Sequence, residues 1–186
     1  MTGQLPAAAS TPGSGGPPRR ILVLACGETS RGDDAAGLLA ADVVRGWIDG
    51  LADPPVPVRG LLEALRGHLE VRPVHQVEPD HLLAVGEDEA VVVIDAVRGV
   101  APGSIVRLPL TGVASSADAP RSSHMLPLRE VLGIAETLRG SLPPGVFVGL
   151  GGSAFELGAA PSALVREGVA AFAATVVEEA ARLVRG

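Results

Sequence analysis

Ile21-Leu22-Val23-Leu24-Ala25-Cys26 is an unbroken apolar run of strand length. Continuous rather than alternating apolarity marks a strand covered on both faces, as in a parallel sheet. A loop, Gly27-Glu28-Thr29-Ser30-Arg31-Gly32, follows, and Asp33-Asp34 open a helix. Acidic side chains there cap free N–H groups and complement the helix dipole. The spacing predicts a helix over about 33–49 with Ala36, Leu39, Val43 and Trp47 on one face, ended by Gly50 and Asp53-Pro54-Pro55. The second clear buried strand is Ala90-Val91-Val92-Val93-Ile94-Asp95, and Val146–Leu150 is a third.

Weaker patterns fill the intervals. Residues 53–60 read as a loop, Leu61 to Gly67 as a short helix, 69–77 as a strand and 79–86 as another short helix. Pro102-Gly103 turn into Ser104–Leu108, and a polar loop is expected over 111–123. Helices are expected at about 126–138, closed by Gly140, and at about 161–184, where Val165, Val169, Phe172, Val176, Ala180 and Leu183 share a face. Strands alternating with helices predict an α/β fold: a three-layer sandwich with a mostly parallel sheet of about five strands and helices on both faces. Residues 1–19 carry four Gly and four Pro and no charge before Arg19, and read as a disordered tail. Residues 20–186 read as a single domain, which suits a 186-residue chain that is 47% hydrophobic and 19% charged.

Absent residue types exclude whole chemistries. The chain has no Lys, Asn or Tyr; all 15 basic residues are Arg. Without Lys there is neither a phosphate-loop lysine nor a Schiff-base amine, and without Asn no Cys-His-Asn triad. A net charge of −6 and four aromatic residues, Trp47, Phe147, Phe155 and Phe172, argue against nucleic acid as a partner. The single cysteine, Cys26, allows no intrachain disulfide and fits a cytoplasmic setting. No apolar run has the length of a membrane span.

In open α/β sheets, sites lie beyond the carboxyl ends of the strands. Three elements bring polar groups to that rim: the loop after the first strand with Asp34, the central strand with Asp95, and the Ser122-Ser123-His124 segment. Asp34, Asp95 and His124 form an O,O,N set suited to a divalent first-row metal with open coordination positions. Taken singly, Asp34 reads equally as a helix cap, Asp95 as a turn former and His124 as a solvated loop residue. His75-Gln76 ends the second strand and either joins the rim or is a polar strand end. The spacing Gly27-x4-Gly32-x4-Gly37 fits neither the dinucleotide nor the Walker fingerprint, and two acids at the helix start would repel phosphate.

These residues resemble the maturation proteases of [NiFe]-hydrogenases. The resemblance is carried, in order, by Ile21-Leu22-Val23-Leu24-x2-Gly27-x3-Arg31-Gly32-Asp33-Asp34-x2-Gly37, by Val93-Ile94-Asp95-Ala96 with Pro102-Gly103, and by Ser122-Ser123-His124 with Pro127-Leu128. Gly151-Gly152-x2-Phe155-Glu156-Leu157-Gly158 continues it, and His75-Gln76-x2-Pro79 is similar to one branch of the family. The resemblance implies a compact α/β sandwich and an endopeptidase that removes the C-terminal extension of a hydrogenase large-subunit precursor. It further implies that cleavage follows nickel insertion, that Asp34, Asp95 and His124 bind the metal, and that the nickel is supplied by the precursor. Asp34 and Asp95 are then the candidates for combined ligand and base work, with Glu28, His75 and Glu156 as accessory residues, in a monomer acting on its partner. The sequence departs from the family at Glu28, where Asn is usual, and at Ala35, where Gly is frequent. Glu28 is expected to raise neighbouring carboxylate pKa values or to add a ligand. Two other readings stand beside the protease: a non-catalytic module recognising the same nickel-containing partner, and a nucleotide- or small-molecule-binding α/β domain.

Overall fold

The computed structural model describes residues 20–115, 121–122 and 127–186. The expected tail at 1–19 and His124 lie outside the described residues. Strands β1 (Arg20–Cys26), β2 (Leu69–Val74), β3 (Glu89–Arg98), β4 (Ile105–Pro109) and β6 (Gly145–Gly151) form one sheet in the order β2-β1-β3-β6-β4. All neighbours on this path are parallel except β4, which runs antiparallel to β6. The two-residue strand β5 (Arg121–Ser122) pairs antiparallel with β3 at Val97 and Arg98, beyond Asp95. The sheet is the mostly parallel one expected, with β5 as an added fragment.

Helices cover both faces, as the continuous apolar runs require. Ile21, Val23 and Ala25 of β1 with Ala90, Val92 and Ile94 of β3 pack under α1 (Ala36–Ile48), α2 (Val56–Ala64) and α6 (Ala163–Arg185). Leu22, Leu24 and Cys26 with Val91, Val93 and Val97 pack under α3 (Pro79–Leu83), α4 (Leu110–Ser115) and α5 (Leu128–Arg139). Every β3 residue from Ala90 to Val97 is buried, so Asp95 is a carboxylate inside an otherwise apolar central strand. Burying such a group is costly unless specific partners compensate.

Three expectations are corrected. The loop expected at 53–60 contains the start of α2, because Pro57 occupies the first turn, where the missing N–H costs nothing, so the prolines begin the helix instead of excluding it. The polar loop expected from 111 begins as helix α4, anchored by buried Leu110 and Val113. On α1 the buried face is Ala36, Gly37, Ala40, Ala41, Val44 and Trp47, with Leu39 and Val43 only half-buried. Gly37 belongs to that face because α1 starts hard against the strand ends, while Leu39 and Val43 pack on the same core from its flank.

The far helical layer has its own tie. The Arg139 guanidinium, in the last turn of α5, donates to the carbonyls of Val85 (2.5 Å) and Leu82 (3.3 Å), satisfying acceptors at the end of α3 and just beyond it. Arg139→Ala leaves these carbonyls without a charged donor, and a loss of about 1–2 kcal/mol is expected in urea unfolding. Gly140 follows in the left-handed conformation, φ 84°, as the expected helix terminator.

Candidate active site

The site is built on the turn that joins β1 to α1. Residues Gly32–Ala35 form a 3-10 turn running straight into α1, and both Asp33 and Asp34 are buried in it. Two glycines of the spaced triplet explain how the turn is seated. A Cβ on Gly37 would lie 2.2 Å from the carbonyl oxygen of Cys26 and 2.9 Å from that of Ile94, so only Gly lets α1 start against the ends of β1 and β3. Gly27, at φ 147°, likewise abuts the Asp34 carbonyl, where a Cβ would fall 2.2 Å away. Gly37→Ala is therefore expected to destabilise the fold by about 1–3 kcal/mol despite the better helix propensity of Ala, and to displace Asp34. Thermal unfolding and a crystal structure of the variant check both effects.

From Ser30 to Asp34 the N–H groups of the same loop are spent within the protein. The Ser30 N–H donates to Glu28 Oε1, Arg31 to Glu28 O, Gly32 to Ala159 O, Asp33 to Ala154 O and Asp34 to Arg31 O. A phosphate-binding loop needs such donors turned outward. The glycines serve close packing, with a Cβ at Gly27, Gly32 or Gly37 falling within 2.5 Å of a backbone oxygen.

Adjacent aspartates do different work. Asp33 Oδ2 accepts from the N–H groups of Ser153 (2.7 Å) and Ala154 (3.0 Å), and Oδ1 accepts from that of Ser162 (2.6 Å). Burial pushes the Asp33 carboxyl upward, but these N–H donors more than reverse it and hold the group below the ordinary carboxylate range. Asp33 thus clamps the loop after β6 against the turn, a role missing from the sequence reading. Its partners lie 120 to 129 residues further on, and no local pattern announces them.

Asp34 and Asp95 are both buried, Asp34 in the turn after β1 and Asp95 in β3. Cys26 is buried at the end of β1; burial pushes its thiol well up, and the Asp95 and Asp34 carboxylates raise it further, against a backbone hydrogen bond at Val77. Both carboxylates therefore act electrostatically on one sulfur. Asp34 is 2% exposed and Asp95 3%, and Asp95 Oδ1 accepts from the Ala96 N–H at 2.7 Å. The positions preceding the turn and α1, Arg31 and Ala35, make no side-chain cap bond, and Asp34 sits within the turn and not at its cap. Among the described residues no three His, Cys, Asp or Glu side chains form a set that could hold a metal ion. The third member of the expected O,O,N set, His124, falls outside the described residues.

The expected accessory residues lie in the segments that follow three strands, Glu28 after β1, His75 after β2 and Glu156 after β6. Glu28 Oε1 accepts from the Ser30 N–H (3.1 Å) and hydroxyl (2.9 Å), while Oε2 lies 3.7 Å from His75 Nδ1. The Ser30 donors, with smaller help from His75 and Arg31, hold the Glu28 carboxyl below its ordinary range. Glu156 stands exposed in the loop after β6, accepting from the Phe155 N–H, and the Arg98 guanidinium lies 3.8 Å over the Phe155 ring. That loop is tied to the turn by Gly158 N–H to Ser30 O and Gly32 N–H to Ala159 O, so Glu156 and Asp34 belong to interlocked segments.

The fold is similar to solved structures of one group. Against the [NiFe] hydrogenase maturation protease HybD from Thermococcus kodakarensis the TM-score is 0.61 at 22% identity, covering 87% of this chain and 99% of that one. HycI from Thermococcus kodakarensis KOD1 gives 0.56 at 24% identity, over 90% and 94% of the two chains. The hydrogenase maturating endopeptidase HybD from E. coli gives 0.57 at 19% identity, over 84% and 89%. No protein-family model matches the sequence, and no curated protein does. The family resemblance carried by the motifs is thus borne out in the backbone: the chain has the fold of the [NiFe] hydrogenase maturation proteases.

Proposed function

We propose that the protein is an endopeptidase that removes the C-terminal extension of a [NiFe]-hydrogenase large-subunit precursor after nickel insertion. The observation that supports this reading is the burial of two aspartates, Asp34 and Asp95, on separate elements of a chain with the fold of the maturation proteases. The nickel arrives with the precursor as part of the substrate, and Asp34, Asp95 and His124 are the residues that would receive it. Two carboxylates and an imidazole are donors suited to a divalent first-row cation. Bound there, such an ion supplies charge stabilisation at the scissile carbonyl. One of the two buried carboxylates takes the proton of the attacking water, as a positioned general base does. The protein acts as a monomer in the cytoplasm, and among its described residues no helix is long and apolar enough to cross a membrane.

The test is intact-mass spectrometry of purified precursor after incubation with the protein. Nickel-loaded precursor is expected to lose the mass of its C-terminal extension, and nickel-free precursor to stay intact. Stable binding to loaded precursor with no loss of mass would favour the non-catalytic module instead.

A further inference from the structure

An open recess of about 330 Å³ lies at the carboxyl ends of β1 and β2, between Glu28, Leu38, Pro73, Val74 and His75. It neighbours the candidate active site, because Gly27, part of its lining, sits against the Asp34 carbonyl. Its walls are apolar at Leu38, Pro73 and Val74, and its one carboxylate is fixed in place. Both Ser30 donors grip Glu28 Oε1, which leaves Oε2 oriented but not hydrogen-bonded to His75 at 3.7 Å. The side chain keeps 35% of its surface exposed, so the oxygen is reachable from solvent.

We propose that this recess takes an arginine or lysine side chain of the precursor, with its aliphatic stem against Leu38, Pro73 and Val74 and its cationic head on Glu28. The inference rests on the endopeptidase reading and adds a specificity-determining residue to it. Long cationic side chains cover apolar surface with their stems while the head pairs at the edge. A carboxylate already oriented by other donors loses little freedom on pairing, and a guanidinium bond to it is charge-assisted. A metal ion fits less well, since Glu28 is the one carboxylate of the lining, with the Thr29 hydroxyl and the His75 ring as the other side-chain donors. The exposed His75 ring, 66% accessible, can yield its place beside Glu28 to a stronger cation.

The test is NMR titration of the whole protein with N-acetylarginine methylamide and with its neutral isostere, N-acetylcitrulline methylamide. Saturable shifts are expected at the amides of Gly27, Ser30, Val74 and His75, with the citrulline probe binding about three- to tenfold more weakly. Glu28→Gln keeps an oxygen for the Ser30 donors, so the loop stays folded, and it is expected to erase the difference between the probes. Equal affinity for both probes in the wild type, or an unchanged arginine preference in Glu28→Gln, would overturn the inference. In cleavage assays, replacing the precursor's basic residues near the cut by Gln is expected to lower kcat/KM for the wild type and not for Glu28→Gln. An unchanged kcat/KM with trimming intact overturns the inference and leaves the endopeptidase reading standing. Failure of the wild type to trim any loaded precursor overturns that reading, and the probe titration still decides the recess.

Discussion

Asp33→Asn is expected to cost about 3 kcal/mol of folding stability, although it changes a single atom of a side chain. The carboxylate accepts three backbone N–H groups, two on Oδ2 and one on Oδ1. An amide has one acceptor oxygen, so whichever way it turns, its NH2 group faces at least one backbone donor. Asp33 has no exposed surface, so an unsatisfied group beside it is costly. Because Asp33 joins the turn after β1 to the loop after β6, the expected damage includes loosening of the segment carrying Glu156. Urea unfolding gives the stability change, and amide hydrogen exchange at Ser153, Ala154 and Ser162 shows whether the loop opens first.

The same interaction fixes a pH dependence. Asp33 binds its proton more weakly folded than unfolded, so between the two pKa values the unfolded chain holds more protons and stability rises with pH. Its contribution is complete above the unfolded value, about 3.9 for an aspartate, and is lost as pH falls through the lower folded value. The stability gap between wild type and Asp33→Asn should therefore be constant from about pH 5 to pH 7 and shrink below about pH 4. Urea midpoints measured for both proteins across that range check the sign; a gap that widens in acid would contradict the clamp.

What could be read from residues alone was whatever local pattern determines. Ile21–Cys26, Ala90–Asp95 and Val146–Leu150 announce themselves because strands buried on both faces tolerate no polar alternation, and β1, β3 and β6 fall there. The apolar stripe of α6 is equally visible, since six residues at helical spacing need one continuous partner surface. The face of α1 is legible only in part, with Ala36 and Trp47 buried as expected and Leu39 and Val43 at its flank. A pattern of large apolar residues selects Leu39 and Val43, whereas close approach to β1 and β3 selects Gly37 and Ala40, and small residues carry no periodic signal. The acidic pair at the turn was visible as a pair, but its division of labour was not. Asp33 is assigned by donors more than a hundred residues away, while Asp34, beside it in the turn, makes none of those bonds.

That division supplies the second decisive expectation. Asp95→Asn and Asp34→Asn should each lower kcat/KM for precursor trimming by about 10³-fold, near 4 kcal/mol of transition-state stabilisation, because each removes a charge that a cation ligand or general base requires. Folding should tell the other way. In Asp95→Asn the remaining side-chain oxygen still accepts the Ala96 N–H, and the change removes one charge from an otherwise apolar stretch of β3. A Tm within about 3 °C of wild type is expected for Asp95→Asn, against a fall of about 5 °C or more for Asp33→Asn. Buried aspartates of identical chemistry are thus predicted to separate cleanly, one on the stability axis and the other on the activity axis. If Asp95→Asn trims precursor at the wild-type rate, the buried carboxylate of β3 is no part of the chemistry and the proposed site fails. If Asp33→Asn alone loses activity while keeping its Tm, the clamp and the catalytic roles have been assigned to the wrong aspartates.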